Sequence, residues 1–150
     1  MKGVSYMQIR SFKKEDVITL TSLMKQLGYP TTFTQLQDRF EKLINLPNYH
    51  VFIAELEGEI VGFTGFMKQW AFEFDGPYVR VLAFVVDEKQ RRKNIGQCLM
   101  QEVENWARNN DCMIVTLNSG NREERKAAHL FYERLGYVAK STGFSKILRN

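Results

Sequence analysis

Apolar residues recur along the N-terminal third of the chain at two spacings, which predict one strand and two helices. A short strand is predicted at residues 7–12, followed by a helix that Gly28 ends. The second helix is predicted to begin at Thr34, because Thr34 and Gln37 have the spacing of a capping box. The residues that share the apolar faces of these helices are Val17, Leu20, Met24, Leu27, Leu36, Phe40, Leu43 and Ile44.

The middle of the chain predicts three consecutive strands. Residues 50–70 contain two apolar runs joined by a turn at Glu57 and Gly58. After a second turn at residues 73–77, the segment 78–86 has a continuous apolar stretch. Such a stretch is typical of a strand that is buried on both faces.

The C-terminal half predicts a helix, a strand and a second helix, followed by one or two final strands at residues 137–148. Residues 112–117 form the predicted strand, and Gly136 is a candidate C-cap of the last helix. The predicted order, β-α-α-β-β-β-α-β-α-β, is that of an α/β domain built around one sheet. The apolar residues of these helices are Ile95, Leu99, Val103 and Trp106, then Ala128, Phe131 and Leu135.

Composition predicts a single soluble domain over residues 1–150. The net charge of +4 is offset by 17 acidic residues, and no basic tail or stripe indicates nucleic-acid binding. Residues 1–10 lack the apolar core of a signal peptide, and no apolar run is long enough to cross a membrane. Cys98 and Cys112 lack metal-ligand spacing. We therefore expect a cytoplasmic protein with buried thiols and no metal.

A cluster of positive charge separates the strand 78–86 from the following helix. Lys89 and the run Arg91–Lys93 precede Asn94 and Gly96. The free N–H groups at a helix start favour an anion, and basic side chains add charge where a phosphate would bind. The alternative is a solvated basic turn. Neither the Walker A pattern nor G-x-G-x-x-G is present, so the loop does not match those nucleotide-binding motifs.

A second candidate site lies on the last helix, in the segment 127–137. His129 and Tyr132 are three residues apart and share one side of the helix. Taken alone, Tyr132 also fits core packing with a satisfied hydroxyl, and His129 fits a packing or capping role.

Together these two segments resemble the GNAT family, the Gcn5-related N-acetyltransferases. The family motif R/Q-x-x-G-x-G/A is matched by residues 91–96, and F-Y-x-x-x-G-F/Y is matched by residues 131–137. The similarity in element order covers nearly the whole chain. The resemblance implies a single mixed sheet, flanked by helices and splayed between two central parallel strands, 78–86 and 112–117. It also implies an enzyme that uses acetyl-coenzyme A and is compatible with a homodimer.

The resemblance further implies roles for individual residues. Acetyl-coenzyme A would lie in the splay, and an amine would attack the thioester directly. Tyr132 would act as the general acid that protonates the departing thiolate. Asn118 and Asn121, after the second central strand, would also reach the cofactor. The backbone of Phe84, Val85 and Val86 would pair with the pantetheine arm, and the amides of Arg91, Arg92, Lys93, Asn94, Ile95, Gly96 and Gln97 would hold the pyrophosphate.

The sequence departs from the family pattern at two positions. Asn94 replaces the first motif glycine, but asparagine tolerates a left-handed backbone, so the loop is expected to keep its shape. Leu82 occupies the position of the usual general base and cannot accept a proton. Glu73 and Asp75 are alternative bases, or else solvated turn residues. Leu82 also leaves open a non-catalytic acyl-coenzyme A sensor.

The acceptor is expected to be a small-molecule or peptide amine. Aromatic residues in two segments are predicted to flank its entrance by analogy with the family, and an aromatic face can hold a cation. Ordinary packing is the alternative for these residues. They are Tyr29, Phe33, Trp70, Phe72 and Phe74.

Overall fold

The computed structural model describes residues 6–91, 93–119 and 125–149. Arg92 and Asn121 therefore lie outside the described residues. The chain forms two compact units, Met1–Thr116 and Leu117–Asn150. That residues 1–150 act as one catalytic domain stays a prediction.

The elements of the first unit follow the predicted order, and the final element belongs to the second unit. Two short 3-10 turns, Lys14–Asp16 and Glu88–Gln90, precede α1 and α3. The elements are β1 (Met7–Ser11), α1 (Val17–Leu27), α2 (Phe33–Ile44), β2 (Tyr49–Leu56), β3 (Glu59–Trp70), β4 (Pro77–Val86), α3 (Ile95–Asn109), β5 (Val115–Leu117) and α4 (Lys126–Arg134).

The strands form one open sheet in the order β1-β2-β3-β4-β5. The first four strands are antiparallel neighbours. The connection from β4 to β5 runs through α3, the kind of crossover that parallel strands require, so the sheet is mixed. β5 meets the beginning of β4, where the Val79 N–H donates to the Ile114 carbonyl at 2.9 Å.

Helices cover both faces of the sheet in the first unit. On one face, α1 and α2 pack against β2, β3 and β4 around buried Leu20, Phe40 and Ile53. On the other face, α3 packs with buried Ile95 and Leu99 against the same strands. The apolar helix faces predicted from sequence are thus the faces that form the two cores.

A β-bulge interrupts β4 at Leu82. Gly65 pairs with Ala83 and Phe66 pairs with Val81, which leaves Leu82 as the extra residue. The Leu82 side chain is 48% exposed. The prediction that this stretch is buried on both faces is therefore wrong at Leu82, because the bulge turns that side chain out of the packed layer.

Two local predictions are wrong. α2 begins earlier than predicted, because the Thr-x-x-Gln spacing also occurs at Thr32 and Gln35, and that pair forms the capping box with two reciprocal bonds of 3.2 Å.

The described residues 137–149 contain no strand. All side chains of residues 138–149 are exposed. The alternating pattern of this segment therefore does not give it the buried face that a strand of the sheet has.

Candidate active site

The loop after β4 is a tightly bonded turn. The Asp87 N–H donates to the Val61 carbonyl at 2.8 Å, which holds the end of β4 against β3. The Asp87 carboxylate accepts from the Lys89 N–H at 3.1 Å and caps the short 3-10 turn that follows. The Lys93 ammonium donates a hydrogen bond to the Gln90 side-chain oxygen at 2.7 Å, which links the two ends of the basic segment. The basic loop is thus folded by its own polar groups.

Gln26 ties this loop to α1. Its side-chain nitrogen donates to the Asp87 carboxylate at 3.2 Å, and its oxygen accepts from the Glu88 N–H at 2.9 Å. One amide group therefore satisfies two groups of the loop. Local sequence patterns did not reveal this contact, because a single Gln on a helix gives no signal for a partner sixty residues away.

Asn94 lies at the N-cap of α3 in the left-handed region, with φ 61° and ψ 18°. Asparagine thus adopts the left-handed backbone at this position, whereas the shape of the whole loop relative to the family motif stays a prediction. The first N–H groups of an α-helix lack intrahelical partners, and in α3 these belong to Ile95, Gly96 and Gln97. Because the Ile95 side chain is buried in the core, its backbone amide is the part of this residue suited to binding a phosphate.

The predicted pantetheine segment lies at the end of β4. Val85 packs in the core beneath α1 and α2, whereas Phe84 and Val86 pack on the α3 side. These side chains pack in the two cores, so the backbone is the part of the segment that could bind coenzyme A. Close packing is needed here, since a Cβ on Gly62 would lie 2.9 Å from the Val85 carbonyl oxygen and 3.3 Å from Leu99.

The buried hydroxyl of Thr64 supports the bulge. It donates to the Ala83 carbonyl at 2.8 Å, and the Thr64 side chain is fully buried. Bulges leave part of the ladder unpaired, so this bond satisfies a carbonyl next to the extra residue Leu82.

A cavity of about 320 Å³ opens beside the bulge on the α1 and α2 side of the sheet. Residues of the sheet supply most of its lining, with Gly65, Leu82 and Ala83 among them, and α1 and α2 supply nearly all of the rest, mainly through apolar side chains. Arg39 also lines the cavity. Among the described lining residues there is no Asp or Glu. His50 is also a lining residue, but its imidazole packs on Trp106 of α3 with ring centroids 4.5 Å apart. Burial together with nearby Lys68 lowers the pKa of His50.

The predicted aromatic entrance is only partly assembled in the first unit. Trp70 and Phe72 line a second cavity of about 460 Å³ with Glu73 at the β3–β4 turn. Tyr29 and Phe33 line neither cavity, and all four aromatic side chains are exposed. The fifth predicted residue, Phe74, packs edge-to-face on Tyr78 with ring centroids 5.7 Å apart.

Glu73 and Asp75, the alternative bases, are exposed residues of the β3–β4 turn. Glu73 lines the second cavity, whereas Asp75 lines neither. Their role in proton transfer stays a prediction.

Tyr132 lies on α4 in the second unit, where it packs edge-to-face with Phe131 and Tyr137. Burial raises the pKa of Tyr132 above its ordinary value of 10, and nearby Arg125 opposes this rise. The phenol is therefore protonated at neutral pH, as a general acid must be. His129, one turn earlier, is half-buried, and Asn118 follows β5 in the same unit.

The described residues include neither a metal-binding cluster nor a membrane-spanning helix. No group of three or more His, Cys, Asp or Glu side chains is placed to hold a metal ion. No helix within the described ranges is long and apolar enough to cross a membrane.

The described fold is an open mixed α/β sheet with a bulged central strand and a helix-start loop after it, and comparison with known proteins identifies the family. A model of the acetyltransferase (GNAT) family matches residues 16–137. The chain belongs to the GNAT family. It is an acyltransferase, and acetyl-coenzyme A is its co-substrate.

Individual relatives cover almost the entire chain. An aminoalkylphosphonate N-acetyltransferase of Salmonella typhimurium is 26% identical over 142 residues, which are 94% of this chain and 91% of the relative. The crystal structure of a GNAT family acetyltransferase from Staphylococcus aureus is 32% identical, with a TM-score of 0.80 and coverage of 95% and 98% of the two chains. The aminoglycoside N-acetyltransferase AAC(6')-Iy, solved with CoA, shares the fold with a TM-score of 0.84 at 20% identity, covering 100% and 99%.

Proposed function

We propose that this protein transfers the acetyl group of acetyl-coenzyme A to the primary amine of a small molecule by direct attack. The observation that supports the proposal is the left-handed Asn94 at the start of α3, a conformation that asparagine adopts at the position where the family motif has its first glycine. The aminoalkylphosphonate acetyltransferase relative, which matches over 94% of the chain, supports a small amine as the acceptor class. The cytoplasmic location expected from the sequence stays a prediction.

In this proposal, backbone groups hold the co-substrate. The amides of residues 93–97 and the exposed cations Arg91 and Lys93 meet the pyrophosphate, because free amides and positive charge both favour an anion. The backbone of Phe84–Val86 pairs with the pantetheine arm. Gln26 stabilises the loop from behind by its two bonds to Asp87 and Glu88.

The amine must lose a proton before it attacks. An alkyl ammonium has a pKa near 10.4, so about one molecule in a thousand is neutral at pH 7. The cavity beside Leu82 has mostly apolar walls and no carboxylate among its described lining residues. Such surroundings disfavour the ammonium and lower the pKa of a bound amine. This effect offsets part of the loss of a base at Leu82.

The attack forms the C–N bond of the amide and breaks the C–S bond of the thioester. The departing thiolate needs a proton, which we assign to Tyr132 on the basis of the family motif and of its protonated phenol. Water takes up the proton that the ammonium loses before the attack, and the proton that the nitrogen loses on forming the amide is released to solvent, from which the Tyr132 phenol regains its own.

A melting experiment with acetyl-coenzyme A tests the proposal. At about a hundred times its dissociation constant, the ligand should stabilise the fold by about 2.7 kcal/mol. A turnover screen over small primary amines should then show free thiol release. No melting shift together with no binding by calorimetry would contradict co-substrate binding, whereas binding without turnover of any amine would favour the acyl-coenzyme A sensor.

A further inference from the structure

We infer that the acceptor carries an anionic group besides its amine, and that Arg39 binds this group. The inference rests on the proposed function and names the substrate class of the same site. A phosphonate, phosphate or carboxylate separated from the amine by a few bonds has the required chemistry.

The charge of the cavity supports this inference. Arg39 lines the cavity and is exposed, and no hydrogen bond or ion pair joins it to another described residue. Two other lining residues of α2, Leu36 and Leu43, lie one turn away on either side, so Arg39 borders the apolar face of the helix. A guanidinium in such a place favours an oxyanion, with which it can form two parallel hydrogen bonds.

The same charge disfavours polycationic acceptors. A diamine or an aminoglycoside would bring a second cation toward Arg39, and the described lining residues include no carboxylate to compensate it. Like charges at short range repel, so a second cation beside Arg39 is disfavoured. The cavity volume of about 320 Å³ lies at the small end of ligand sites, which also favours a small acceptor.

The position of Arg39 indicates how the acceptor is oriented in the cavity. The proposed pantetheine segment follows directly on Leu82 and Ala83, so the amine belongs at the β4 end of the cavity. α2 packs over β2, which is separated from β4 by β3. The distance from β2 to β4 is two strand spacings, or about 10 Å. The long Arg39 side chain covers part of this distance, so the ligand has to span only the rest. An amine and an anion a few bonds apart fit this span.

Four amines of similar length test the inference: 3-aminopropylphosphonate, 4-aminobutanoate, butylamine and 1,4-diaminobutane. We expect kcat/KM to be highest for one of the two anionic amines and lowest for the diamine. Arg39→Ala should lower kcat/KM for the anionic amines by about 10- to 100-fold, mainly through KM, and should lower it much less for butylamine, which has no anion to lose. Arg39→Lys should show an intermediate loss, because it keeps the charge but not the paired donors.

Lys42→Ala is the matched control. Lys42 is an exposed cation on the same helix that does not line the cavity, so its removal tests the general effect of charge. Preference for the diamine, an equal loss for butylamine, or an equal effect of Lys42→Ala would overturn the inference while leaving an active acetyltransferase. Turnover of none of the four amines by a protein that binds acetyl-coenzyme A would also overturn it, whereas failure to bind acetyl-coenzyme A marks failure of the proposed function itself.

Discussion

The side-chain amide of Gln26 on α1 bonds the carboxylate of Asp87 in the loop after β4, across 61 positions of sequence. The same amide accepts from the Glu88 N–H. α1 also contributes Met24 to the wall of the cavity beside Leu82. One helix therefore contacts both the proposed acceptor cavity and the loop proposed to bind coenzyme A.

Removing this contact should weaken co-substrate binding. Gln26→Ala deletes two hydrogen bonds of a half-buried side chain, and a net loss of about 1 kcal/mol corresponds to about a fivefold rise in KM for acetyl-coenzyme A. We expect kcat to change little. Lys25→Ala, an exposed neighbour on α1, is the control. An unchanged KM in Gln26→Ala, measured at saturating amine, would contradict a positioning role.

The left-handed backbone of Asn94 leads to a second prediction. Asn94→Gly should bind acetyl-coenzyme A about as well as the parent, because glycine adopts φ 61° without strain. Asn94→Val should raise the dissociation constant by about 5- to 30-fold, since a branched side chain resists this conformation by about 1–2 kcal/mol. Calorimetric titration of all three proteins checks the order. Equal affinities would show that binding makes no such backbone demand.

Tyr132→Phe tests the proposed general acid. The ring packing against Phe131 and Tyr137 is retained, so the variant should fold and bind acetyl-coenzyme A. Loss of proton delivery should lower kcat by about 10²–10⁴-fold. Steady-state kinetics, cofactor binding and melting are to be compared in both proteins. His129→Ala is the control and should cost less, and the reverse order would make the imidazole the better candidate.

A buried ion pair predicts how stability depends on pH. Asp16 is buried and accepts two bonds of 2.8 Å from Arg10, which also bonds Glu55 at 2.7 Å. Burial alone would raise the pKa of Asp16, but the hydrogen bonds from Arg10 and from the Lys13 N–H outweigh it and lower the pKa below 3.8. A lowered folded pKa contributes stability above pH 3.8 that is lost as the pH falls through the folded value.

Asp16→Asn should therefore cost about 2 kcal/mol of unfolding free energy at pH 7, because it weakens the charge-assisted bonds of largely buried Arg10, which keeps Glu55 as its remaining carboxylate partner. The variant should also lose less stability than the parent between pH 5 and pH 2. Urea unfolding over this range measures both effects. Asp38→Asn, which removes an exposed partner of Lys42, is the control and should change little. A parallel pH dependence in parent and Asp16→Asn would contradict the assignment.

The features that were predictable from sequence are those set by local conformation. Gly28, Gly136 and Asn94 have positive φ values where the sequence placed helix boundaries. The turn at Glu57 and Gly58 has two positive φ values, as a two-residue hairpin turn requires. Each of these depends on a residue and its immediate neighbours, which the sequence displays directly.

The features that were not predictable depend on pairing between distant segments. The bulge at Leu82 is defined by the register of β3 against β4, and the apolar run 81–86 carries no sign of it. No sequence motif contains Arg39, and its place in a cavity follows only from the packing of α2 over the sheet. The alternating residues 137–148 imitate a strand, but they gain no buried face.

Because of the bulge, the side chain at position 82 can change without affecting how β4 folds. The bulge is defined by strand register and by the bond from Thr64 to the Ala83 carbonyl, neither of which involves the Leu82 side chain. Because that side chain is about half exposed, an acidic residue there would leave the core intact. A related protein with this backbone can therefore gain or lose a proton-accepting group by one substitution at position 82. The range of acceptors can then change during evolution while the fold keeps its stability.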